Sequence, residues 1–199
     1  MNADTAHSHF DDLIRAIQQR IQIPSQITDS ADAVHAVIHP PASAADIEAA
    51  ESDLGFALPP LLRELLTTVG NGGFGPGYGL LGVAHGALDD LGKNMLDLYA
   101  MFREPNPGDP AWQWPEFLLP VCHLGCAMYV CIDCSKPNAP TIWFEPNPRR
   151  DGDPMAPFLI PAAPSLEDWL WYWVRGQEWA KPSYDSSGPL DWLEKTHGP

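Results

Sequence analysis

The chain has 199 residues, enough for one domain with a substantial core. Its 26 acids against 11 bases give a formal net charge of −15, and the acidity is spread, with 13 acids and 5 bases in residues 1–103 and 13 and 6 in residues 104–199. That balance argues against binding nucleic acid or anionic membrane, which takes Lys and Arg, and reads either as attraction to a basic partner or as solubility alone.

The N-terminus, MNADTAHSHFDD, has neither the basic nor the apolar region of a secretory signal. No apolar run approaches the ~20 residues of a spanning helix. A cytoplasmic protein is expected, with its four cysteines as reduced thiols. The 22 prolines predict many rigid connections between short elements. Eight tryptophans load the second half with bulky apolar side chains.

Phe10, Leu13, Ile14, Ile17 and Ile21 recur at helical spacing, which predicts an amphipathic helix over about residues 8–21, ended by Pro24. A connector follows, with a short element at Ala33–Ile38. Ser43 and Asp46 form a capping signature for a helix carrying Ile47, Ala50, Glu51 and Leu54, and Gly55 stops it. Pro59-Pro60 opens a further helix with Leu61, Leu62, Leu65, Leu66 and Val69 as its apolar stripe. Gly70 ends it.

Residues 71–79 then hold five glycines in nine positions. This run reads either as a tight helix-to-strand connection needing positive φ or as a loop lining a partner groove. It is not a phosphate loop, because no G-K-[ST] follows. A strand is expected at Leu80, Leu81 and Val83, then a helix over about 87–102.

From residue 116 the period changes. Residues 117–121, 127–133 and 141–145 read as three short strands, and 158–160 as another. Ser165 and Asp168 cap a last helix over about 165–176, built on Trp169, Leu170, Trp173 and Val174. Leu190, Trp192 and Leu193 offer a docking point in the polar tail. Helices, then a sheet, then a closing helix give the expected fold class: α+β, a single domain with helices packed on an antiparallel sheet. The expected organisation is an N-terminal helix and connector over 1–41, a core over 42–177 and a C-terminal tail over 178–199.

The ordered set Ile47, Glu51, Leu54-Gly55, Leu58-Pro59, Leu65-Leu66 and Asn71-Gly72-Gly73 resembles the start of the SUKH superfamily. That group includes fungal regulators of cell-wall glucan synthesis and many bacterial immunity proteins. Trp114-Pro115, Phe117-Leu-Leu-Pro120, Gly125-Cys126 and Tyr129-x-Cys131-x-Asp133 continue the likeness, which covers about residues 42–175. The resemblance implies a binding fold with no known catalytic centre, and a partner that is most often a toxin. Its alternative is a regulatory scaffold in a cell-wall or signalling assembly. Glu51, Gly55, Pro59, Gly73 and Asp133 are then positions of the structural motif. No cofactor is expected, and oligomeric state is left open.

Candidate partner-binding residues are Asn71, Gly72 and Tyr78 in the glycine run, Asp89, Asp90 and Asp97 in the acidic stretch that continues to Glu104 and Asp109, and Trp171, which falls off the buried stripe of its helix. The commoner reading of such acids is the solvated face of a helix. Glu51 could salt-bridge the glycine loop or sit on a helix edge. Cys122, Cys126, Cys131 and Cys134 contain enough thiols for zinc. Strand alternation puts Cys131 and Cys134 on opposite faces, which favours packed thiols and no metal. Cys122 and His123 are adjacent and point apart on a strand, so a thiol nucleophile would need another base such as His85. No nucleophile–base pattern is recognisable, and no enzyme is expected.

Overall fold

The computed structural model describes residues 9–30 and 36–177. The expected tail docking point and the first part of the Ala33–Ile38 element lie outside them. The helix α1 (Asp11–Arg20) opens on two acids and closes on Arg20, the order that suits the helix dipole. It buries Leu13, Ile14 and Ile17 and packs on the last helix of the chain.

The helix α2 (Ala44–Leu54) starts where the capping signature places it. Ser43 Oγ accepts from Asp46 N at 3.1 Å, and Ser43 N donates to the Asp46 carboxylate at 2.9 Å. Gly55 closes the helix at φ 79°, with its N–H on the Glu51 carbonyl. Pro59 then sits at the N-cap of α3 (Pro60–Thr68), which buries Leu61, Leu62, Leu65 and Leu66. Each such leucine removed from water stabilises the fold by ~1.5–3 kcal/mol.

Two expectations are corrected after the glycine run. Leu80, Leu81 and Val83 form no strand. Leu80 makes a single bridge to Cys122, because most backbone groups here are used by the glycine loop itself: Leu80 N donates to Phe74 O, and Gly73 N to Leu80 O. The helix expected over 87–102 is shorter, α4 (Met95–Arg103). Gly92 takes φ 73° and breaks any helix there. Asn94 starts α4 instead, its side chain accepting from Leu96 N and Asp97 N while Asp97 receives Asn94 N.

The sheet is an antiparallel meander in the order β1 (Leu118–Gly125), β2 (Met128–Asp133), β3 (Thr141–Phe144) and β4 (Leu159–Ala163). The β1–β2 turn has two residues, Cys126 and Ala127, both at positive φ, the primed pattern that matches strand twist. The helix α4 packs on β1. The closing helix α5 (Leu166–Val174) packs on β4, at the other edge, and also on α1 and α3. Ser165 caps α5 by accepting from Asp168 N. The chain is thus one α+β domain with helices against an antiparallel sheet, as its element order predicts. At the centre, Phe102 of α4 meets Trp114, Tyr129 and Phe144 at ring-centroid distances of 4.6, 5.5 and 5.6 Å.

Candidate functional site: an acidic aromatic surface beside the first strand

The glycine run lies along the outer edge of β1. Tyr78 N donates to His123 O at 3.1 Å and Leu81 N to Val121 O at 2.8 Å. Cys122 Sγ donates to Pro76 O at 3.1 Å. Glycine is required where backbones meet: a Cβ on Gly73, at φ 87°, would stand 1.9 Å from Val37 O. A Cβ on Gly125 would stand 3.2 Å from the Tyr78 ring, so that glycine leaves the ring its place.

This path brings Tyr78 onto His123. The two rings stack at 5.4 Å with 27° between planes. His123 is also the direct cross-strand partner of Tyr129, at 5.1 Å. A register shift in β1 between His123 and Gly125 creates that pairing. Such bulges re-aim side chains. Tyr129 OH donates to Asp89 Oδ2 at 2.8 Å, and burial first, then Asp89, pushes that phenol well above its ordinary pKa. Asp89 Oδ1 accepts from Leu91 N at 2.9 Å and Lys93 N at 2.8 Å, which fixes the 89–93 loop. Asp90, next in line, holds Oδ1 3.5 Å from His123 Nε2.

Three predicted residues therefore converge: Tyr78, Asp89 and Asp90. Tyr78 is 54% exposed, and Leu88 and Leu91 beside the two aspartates are 53% and 65% exposed. Asp89 is half-buried and holds the loop, so Asp90 is the acid displayed. The result is an apolar and acidic surface fixed from beneath by Tyr129 and His123. Residue-type reasoning weighed His123 only as a neighbour of Cys122 and overlooked its place here. The bulge hid it.

Other candidates stand elsewhere. Asn71 and Gly72 are buried. Asn71 Oδ1 accepts from Val83 N and its Nδ2 donates to Ala84 O, so it holds the loop after the glycine run. Asp97 is exposed but serves the α4 cap. Asp109 leaves the acidic stretch altogether: it is buried and paired with Arg149 at 2.5 Å. Trp171 lies on α5, at the far edge of the sheet, under the Arg175 guanidinium at 4.7 Å. Glu51 does not reach the glycine loop. It accepts from Leu58 N at 2.8 Å and pairs with Arg63, tying α2 to α3. Asp133 ends β2, where burial opposes its charge but bonds from Ser135 and Lys136 prevail and lower its pKa.

The four thiols do not form a metal cage. Cys126 is exposed in the turn, while Cys122 and Cys131 are buried, and burial raises the pKa of both. Burial also lifts Cys134 to about 12. Among the described residues no three His, Cys, Asp or Glu side chains come together as metal ligands. A separate open groove of about 490 Å³ is lined by Pro105, Pro107, Pro110, Trp112 and Trp114, with Arg103 as its ionisable group. Among the described residues no helix is long and apolar enough to cross a membrane.

These features define a small α+β domain that displays a shaped, charged surface on a rigid sheet edge. The chain belongs to the SMI1 / KNR4 family (SUKH-1), whose model matches residues 41–171. No curated protein matches the sequence.

Proposed function

We propose that the chain is an immunity-type protein that binds and neutralises a basic toxin, without catalysis, through the surface around Tyr78 and Asp90. The observation that carries this reading is the convergence of Tyr78, His123, Tyr129, Asp89 and Asp90 beside exposed Leu88 and Leu91. Exposed apolar groups next to an exposed acid suit a protein partner of opposite charge. The net charge of −15 speeds that encounter and keeps polyanions away. Family membership supports a protein partner, and the cytoplasm is where such a toxin would be met.

The test is co-expression with toxin-like proteins encoded beside this chain's gene. Protection of the host and co-purification of the pair support the reading, with both weakened by Asp90→Lys. Co-purification without protection would favour the regulatory scaffold. No binding and no protection would overturn the reading.

A further inference from the structure

One polar atom beneath this surface has no hydrogen bond. His123 is 5% exposed, and its Nε2 is buried and makes no hydrogen bond. Leaving such an atom unpaired is costly, so a ligand that satisfies it gains affinity. The atom is aimed at the exposed carboxylate: Asp90 Oδ1 lies 3.5 Å away, and the Asp90 side chain is 64% exposed. The Tyr78 ring stacks on the same imidazole and remains more than half exposed. Carboxylate, imidazole nitrogen and exposed aromatic ring thus lie side by side.

We propose that Tyr78, Asp90 and His123 form a receptor for a single arginine side chain of the protein partner. A guanidinium is planar and stacks on a phenol ring. Its N–H fork reaches a carboxylate and donates to a second acceptor at once. An imidazole that carries its proton on Nδ1 presents Nε2 as that acceptor. Asp89 adds negative field without competing, since its oxygens are held by Tyr129, Leu91 and Lys93. Lysine fits less well, being a strongly hydrated point charge with no planar face. The proposal rests on the reading that this surface takes a protein partner.

The experiment is an NMR titration of the full chain with acetyl-Gly-Arg-Gly-amide, its lysine and citrulline counterparts, and free arginine. The expected result is saturable shifts of the His123 imidazole and Tyr78 ring signals with the arginine peptide. The lysine peptide should bind about tenfold more weakly, and citrulline should give no saturation. Free arginine, with the same net charge as the blocked peptide, should shift the same His123 and Tyr78 signals. Asp90→Asn, at an exposed position, should abolish the arginine response while keeping a dispersed spectrum. No saturable shift at His123 or equal affinity for lysine would overturn the proposal. Saturation by the arginine peptide together with undiminished toxin capture by Tyr78→Ala would support this site and overturn the wider reading instead.

Discussion

The Tyr129 hydroxyl donates to Asp89 Oδ2 at 2.8 Å and so fastens the loop that displays Asp90 to the middle of the sheet. Tyr129 itself is 2% exposed and packs on Phe102, which makes the bond a rigid link from core to surface. Tyr129→Phe removes the donor and leaves a carboxylate oxygen unpaired. A loss of ~1–3 kcal/mol is expected in urea unfolding. The amides of Leu91 and Lys93 should exchange faster in native-state hydrogen exchange. Unchanged exchange would mean that the loop does not depend on this bond.

Acid should weaken the fold partly through Asp109. The Arg149 guanidinium foremost, then the Gly152 amide, hold its carboxyl below the ordinary 3.8. A group with a depressed folded pKa contributes stability above its unfolded value, and loses it as pH falls through the folded one. Asp46, held down by Ser43, acts in the same sense. Asp109→Asn should lower the melting temperature at pH 7 and shrink the difference between pH 7 and pH 3. An undiminished difference would assign the acid sensitivity to other groups.

The glycines separate into two kinds. Gly55 takes φ 79° with no neighbour within 4 Å of a added Cβ, so Gly55→Ala should cost only the left-handed backbone penalty, ~1–2 kcal/mol. Gly73→Ala suffers the same penalty and a Cβ 1.9 Å from Val37 O. It should cost more than Gly55→Ala and broaden the Tyr78 and His123 signals. Equal unfolding midpoints for the two variants would contradict the close approach seen at Gly73.

Thiol labelling should distinguish the cysteines. Cys126 is exposed, whereas burial raises the pKa of Cys122, Cys131 and Cys134. Iodoacetamide on the native protein, read by mass spectrometry, should modify Cys126 first, and all four only in urea. Rapid native labelling of Cys131 would place it nearer solvent than described.

Elements with local signals were legible in the sequence. Ser43, Asp46 and Gly55 mark α2 because caps are made by residues three or four apart. The candidate site was legible only in part. Tyr78 falls in the glycine run and Asp89 and Asp90 in the acidic stretch, but nothing local shows that they meet. Counting back from the Cys126–Ala127 turn would set Leu124 opposite Tyr129. The bulge puts His123 there instead, and a one-residue shift changes which face a side chain takes. The place of Asn71 is hidden for a related reason: its partners Val83 and Ala84 are a dozen residues away, beyond local pattern. The helix over 87–102 failed at Gly92, where positive φ overrides the apolar spacing of Leu88 and Leu91.

The central claim is that the surface around Tyr78 and Asp90 captures a basic protein. Calorimetric titration of the chain with its co-encoded toxin, in wild type and Asp90→Lys, tests it most directly. Binding is expected in the wild type, with a dissociation constant at least about tenfold larger in Asp90→Lys and the melting temperature unchanged. Equal affinity of the two proteins for the toxin would contradict it.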